Sequence, residues 1–200
     1  MPDGAQFLGV KIMLSRFHSI TRLALMALSI FAAAGTALSL DLDGYTPAHA
    51  VGTADDEWWT AYPDQHENAG SSVEHLDWVI DDLRDMPVLI FVHSSNCKPC
   101  LAQMPRVQST VDRFGDDIEY YDILAEDSGY EKALGILDVY DPDGATQYVP
   151  TTIFITLAKG PEGDVDVVWN SQIDAMSQDD IDSYVEDSIY YYKANRDSWS

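Results

Sequence analysis

Two cysteines stand three positions apart, as Cys97-Lys98-Pro99-Cys100, and they are the only two in the 200-residue chain. Sulfurs at that spacing reach each other within one helical turn, so the pair can cycle between dithiol and disulfide. The flanking sequence gives the spacing its meaning. Pro87 to Val92 (PVLIFV) is a short continuous apolar run, the pattern of a strand buried on both faces, and the residues from Cys97 onward read as a helix. A cysteine at a helix N-terminus meets free backbone N–H groups and the positive end of the macrodipole, both of which favour the thiolate. Lys98 adds a nearby positive charge, which the abundant acid of the chain opposes. Cys97, nearest the helix terminus, is the expected nucleophile toward a substrate disulfide. Cys100 is then expected to attack the mixed disulfide and release the reduced partner.

Other uses of such a pair fit less well. Zinc takes about four ligands, whereas no second cysteine pair exists and His66, His75 and His93 fall in three different predicted segments. Covalent haem attachment needs His directly after the second cysteine, where this chain has Leu101. Asp41–Gly44 and Asp141–Gly144 are not calcium loops, because the glycine comes too early and no Glu closes the frame. No metal and no other cofactor is expected. A structural disulfide framework would need more cysteines at wider spacings.

These residues must be held by regular structure. Ser72 is placed to cap a helix carrying Val73, Leu76, Val79, Ile80 and Leu83 at helical spacing. The helix from Cys97 to about Phe114 shows Leu101, Met104, Val107 and Val111 on one side, and Pro105 inside it is expected to kink it. Ile118–Leu124 reads as a strand and Tyr130–Val139 as a helix. A turn-rich loop, Asp141-Pro142-Asp143-Gly144, leads to Val149-Pro150 and a strand at Thr151–Leu157. The Gly/Pro turn Ala158–Gly163 joins it to a strand at Val165–Trp169, forming a hairpin, and an amphipathic helix runs from about Ser177 to Tyr192. The order helix, strand, helix, strand, helix, strand, strand, helix predicts an α/β domain. A parallel β-α-β half and an antiparallel hairpin would share one mixed sheet, with helices on both faces.

Over about residues 71–193 the chain resembles the thioredoxin superfamily, on two motifs far apart in sequence: SSNCKPC (Ser94–Cys100) and YVPTTIF (Tyr148–Phe154). The resemblance implies a thioredoxin fold and dithiol–disulfide exchange through Cys97 and Cys100, with Lys98 and Pro99 modulating the pair. It also implies a cis-proline at Pro150 beside the cysteines, with the backbone of Val149 pairing with an extended substrate segment. Pro105 resembles the proline that kinks the active-site helix in many members. Two departures stand out. Asn96 occupies the position of the usual Trp before the first cysteine, and Phe91 that of a buried Asp six residues before it. In the family that acid assists proton transfer at the second cysteine. His93 shares a strand face with Phe91 and is the candidate substitute; the alternative is a partly exposed histidine at a strand end without a role.

The rest of the chain bears on location and partners. Lys11, Arg16 and Arg22 precede Leu23–Leu40, an uncharged and mostly apolar run, so residues 1–40 read as an export signal or membrane anchor. Residues 41–70 read as a linker or loosely packed extension, in which Trp58, Trp59 and Tyr62 are expected to cover an apolar patch on the neighbouring domain. Residues 194–200 form a C-terminal tail. The net charge of −23 repels nucleic acid and anionic headgroups, which excludes both as partners; its Asp-rich composition also suits a saline habitat. The expected protein is an extracytoplasmic thiol–disulfide oxidoreductase, secreted or anchored. Its partners would be exported clients with thiols or disulfides, and a membrane thiol-electron donor or acceptor. The alternatives are a non-catalytic binding module of the same fold and a membrane-tethered assembly factor handing on a metal or haem. The first has no need of both thiols, and the second lacks clustered His or Met. Whether clients are reduced or oxidised depends on the reduction potential.

Overall fold

The computed structural model describes residues 44–144 and 146–200, so the export segment expected at 1–40 lies outside the described residues. Its centre is a four-stranded sheet in the order β2-β1-β3-β4. Strand β1 (Val88–His93) is the apolar run seen in the sequence, and all six of its residues are buried. It pairs in parallel with β2 (Glu119–Leu124) and antiparallel with β3 (Thr151–Lys159), which forms a hairpin with β4 (Val165–Ile173). The helices are α1 (Asp77–Asp82), α2 (Lys98–Phe114), α3 (Tyr130–Tyr140) and α4 (Gln178–Asn195). The mixed sheet with its parallel and antiparallel halves is the arrangement expected from the element order.

Alternation along the strands sorts the core into two layers. Leu89, Phe91, Phe154 and Val168 pack with Val107 and Phe114 of α2 and with Ile181, Val185 and Ile189 of α4. Val88, Ile90, Val92, Ile153, Ile155 and Trp169 face the other way, toward α1 and α3. The stretch before the domain joins both layers. Trp58 and Trp59 are 0% and 1% exposed, and as neighbours on an extended segment they enter opposite clusters. Trp59 N donates to Trp169 O at 2.8 Å and Trp169 N donates back to Trp59 O at 3.0 Å, which covers part of the free edge of β4. Further back, the fully buried Asp187 carboxylate of α4 accepts from Tyr45 Oη at 2.6 Å, Ala48 N at 2.9 Å, and His49 N and Nδ1 at 2.8 Å each.

Three expectations need correction. Ser72 caps no helix: α1 starts at Asp77, with Leu76 at its N-cap and no side-chain capping bond. The preceding segment is held instead by the extension, since Tyr62 N donates to Ser71 O at 3.0 Å. The inward face of α2 is not the apolar stripe. Cys100, Gln103, Val107, Thr110 and Phe114 are buried, while Leu101 and Met104 are 55% and 37% exposed. Two polar residues of the helix find partners inside, and that rotates the stripe by one position. Pro105 lies inside α2. Finally, β4 continues past Trp169 to Ile173, because Asn170, Ser171 and Gln172 pair with β3 and Asn170 Nδ2 donates to Asp55 O and Glu57 O. Polar residues with hidden partners leave no apolar signal.

Candidate active site

Strand β1 delivers the chain to the top of the sheet, and a short loop turns it into α2. Glu126 pins that loop: its Oε1 accepts from Ser95 N at 2.5 Å and its Oε2 from Ser95 Oγ at 2.9 Å. Cys97 is the N-cap of α2, with extended backbone angles of −89° and 116°, and its Sγ accepts from Cys100 N at 3.1 Å. One of the helix's free N–H groups therefore points at this sulfur, the arrangement that lowers the energy of an anion there. Pro99 lies in the first turn, where a missing N–H costs no helical bond. Cys97 and Cys100 are joined as a disulfide. Cys97 is half-buried and Cys100 fully buried, so only the first sulfur is open to a partner.

The second motif arrives from β3. The Val149-Pro150 bond is cis, and Val149 O lies 3.4 Å from Cys97 Sγ. Pro150 is buried, and its carbonyl accepts from Asp174 N at 3.0 Å. Pro99, Tyr148, Val149, Ile173 and Asp174 line an open groove of about 360 Å³ beside the disulfide, with Tyr148 55% exposed. The structure thus assembles Cys97, Pro99, Cys100, Val149 and Pro150 at one place, although some fifty residues separate the motifs. Lys98 is exposed beside the pair.

His93 closes β1 and is 6% exposed. Its ring stacks on Phe91 at 5.0 Å, and its Nε2 lies 2.7 Å from Asp122 Oδ1. Its Nδ1 is buried without a hydrogen-bond partner among the described residues. The other histidines are dispersed: His66 Nδ1 accepts from Asn68 N, and His75 Nδ1 lies 3.2 Å from Tyr140 Oη. Among the described residues no group of three or more His, Cys, Asp or Glu is arranged to hold a metal ion. Glu126, Gln103 and Asp174 were not anticipated. Glu126 and Asp174 fall in segments without periodicity, and Gln103 lies off the apolar stripe of α2.

Three features coincide here: the strand order β2-β1-β3-β4, a cysteine pair at the mouth of the helix that follows β1, and a cis-proline leading into β3 against that pair. This is a thioredoxin fold. No protein-family model matches the sequence, and no curated protein matches it. Among solved structures, the thioredoxin-fold chain is similar to mitochondrial thioredoxin 3 from Saccharomyces cerevisiae in its oxidized form, at 14% identity over 56% of this chain and 87% of that one, with a TM-score of 0.38. It is similar to a thiol:disulfide interchange protein of the thioredoxin family from Chlorobium tepidum TLS, at 14% identity, 55% and 83% coverage and a TM-score of 0.38. It is also similar to MTB dsbF in mixed oxidized and reduced forms, at 19% identity, 50% and 78% coverage and a TM-score of 0.33.

Proposed function

We propose that this protein is a thiol–disulfide oxidoreductase acting on client proteins outside the cytoplasm. The observation that carries the catalytic part is the asymmetry of the pair. A half-buried Cys97 sulfur faces the Cys100 N–H at 3.1 Å and the Val149 carbonyl at 3.4 Å, with a fully buried Cys100 behind it. In the reducing direction the Cys97 thiolate attacks one sulfur of a client disulfide, and the other leaves as a thiolate. The Cys100 thiolate then attacks Cys97, re-forming the Cys97–Cys100 bond and expelling the second client thiolate. Two electrons pass to the client, and the protons of the two protein thiols end on the client thiols. Oxidation of clients is the same sequence reversed.

The neighbouring residues divide the supporting roles. Lys98 and the helix terminus favour the Cys97 thiolate, and Pro99 forms one wall of the groove. Val149 offers backbone groups to an extended client segment, seated by Pro150. His93 is the residue we assign to take and return the Cys100 proton: an imidazole whose Nε2–H is held by Asp122 presents Nδ1 as an acceptor, and that atom is buried with no hydrogen-bond partner among the described residues. The location rests on the basic residues Lys11, Arg16 and Arg22 ahead of Leu23–Leu40. It makes exported proteins the clients, and a membrane thiol-electron donor or acceptor the source or sink of electrons.

The test is reduction of insulin by dithiothreitol in the presence of the full chain. The wild type should accelerate it, Cys97→Ser should abolish the acceleration, and Cys100→Ser should accumulate a mixed disulfide with insulin. His93→Leu should accumulate the same species to a smaller extent, because resolution by Cys100 is slowed but not abolished. No acceleration by the wild type would sink the catalytic reading, and a His93→Leu protein resolving at the wild-type rate would remove the histidine from it.

A further inference from the structure

Helix α2 buries an amide one turn beyond Cys100. Gln103 is 0% exposed, and both ends of its side chain are used. Its Oε1 accepts from Met176 N at 2.8 Å, and its Nε2 donates to Thr152 Oγ1 at 3.0 Å. The backbone N–H of Met176 fixes the orientation of the amide, since the flipped form would set two donors face to face. Thr152 lies two residues after Pro150 in β3, and Met176 two residues after Asp174. These segments are themselves joined, because Asp174 N donates to Pro150 O at 3.0 Å. Arg106, a further turn along α2, donates to Met176 O. The start of β3 and the loop from Asp174 to Met176 thus reach the disulfide-bearing helix through a single buried side chain, with Arg106 as a second tie to the loop. An aliphatic residue at 103 would pack without needing partners, whereas a buried amide is tolerated only in the one geometry that satisfies it.

We propose that Gln103 is a positioning residue that fixes the wall of the groove, Val149 with Ile173 and Asp174, at a set distance from Cys97 and Pro99. The clamp stands on geometry alone; its effect on client binding rests on the oxidoreductase reading. Removing the amide frees the loop and widens the groove, so an extended client segment loses its seat while Cys97 keeps its helix terminus.

The experiment pairs two measurements on the full-length oxidised and turning-over protein. In Gln103→Leu, the amides of Asp174 and Met176 should exchange with deuterium about ten-fold faster, with those of β1 and α3 unaltered. With insulin as client, KM should rise about ten-fold while kcat moves by less than about two-fold. Thr152→Val, of nearly the same shape, removes one arm of the clamp and should give the same pattern at smaller size. It also decides the matter if Gln103→Leu does not fold. Unaltered exchange at Met176 overturns the clamp. Faster exchange with an unaltered KM overturns the positioning role. A wild-type chain that turns over no insulin overturns the oxidoreductase reading instead, and the exchange measurement still decides the clamp.

Discussion

His75 shows how a single buried group shapes the response to acid. Its ring sits against Tyr140, and burial pushes its pKa down from 6.5 to about 4. In the unfolded chain a histidine titrates near 6.5. Between those values the unfolded state binds a proton that the native state refuses. The corresponding stability is fully present above pH 6.5 and is lost as the pH falls toward 4, by up to about 3 kcal/mol. Urea denaturation at pH 7 and pH 4.5 should therefore show a smaller acid loss in His75→Leu than in the wild type, and equal losses would exclude this histidine as the cause. The residues of the candidate site divide by how their places arise. That Cys97, Cys100 and the Val149-Pro150 pair come together was legible because particular residue types in fixed local patterns mark them. Gln103 was not, because its buried hydrogen bonds are made to partners 49 and 73 positions away. His93 was legible as a strand-end histidine, but its burial and its Asp122 partner depend on the pairing of β1 with β2.

Strands and helices follow the same division. Strand β1 announced itself because it is apolar throughout, and the hairpin because its turn is built of Gly and Pro. The inward face of α2 was misjudged because Gln103 and Thr110 are buried by hydrogen bonds rather than by hydrophobicity, Thr110 Oγ1 donating to Asp182 Oδ1 at 2.7 Å. The stretch around Trp58 and Trp59 read as a linker because its composition is that of a loop. Its partners, Trp169 and Asp187, lie more than a hundred residues further on. The Asp187 carboxylate accepts four hydrogen bonds from Tyr45, Ala48 and His49, so it fastens this stretch to α4. Asp187→Ala would leave those donors unpaired and cost about 3 kcal/mol. For a chain of this size that corresponds to a fall in Tm of roughly 6–12 °C. Limited proteolysis of the variant should cut first near Gly44–Asp56, exposing the edge of β4. An unchanged Tm together with an unchanged cleavage pattern would show that the extension is held by its tryptophans alone.

Charge is distributed unevenly along the molecule, and that bears on where it works. The chain as a whole carries 34 acids against 11 bases, yet its first forty residues hold Lys11, Arg16 and Arg22 with Asp3 as the only acid. Basic residues ahead of an apolar run tend to stay on the cytoplasmic side, and this is the ground on which we propose that the chain after Leu40 is carried across. Among the described residues no helix is long and apolar enough to cross a membrane. The proposed exchange of client disulfides at Cys97–Cys100 suits a compartment where disulfides persist. A phosphatase that gains activity only after export, fused behind Gly70, should therefore be active. Changing Lys11, Arg16 and Arg22 to Glu should reduce that activity about ten-fold or more, by removing the charge that sets the orientation. The same fusion made with a reporter that works only in the cytoplasm should be silent. Full activity of that second reporter would mean that the acidic domain stays inside and that its clients are cytoplasmic. If export holds, the mass of the mature N-terminus separates the two remaining forms. Loss of residues up to a small-residue site such as Ala37-Leu38-Ser39 identifies a secreted protein, and an intact first segment in the membrane fraction an anchored one.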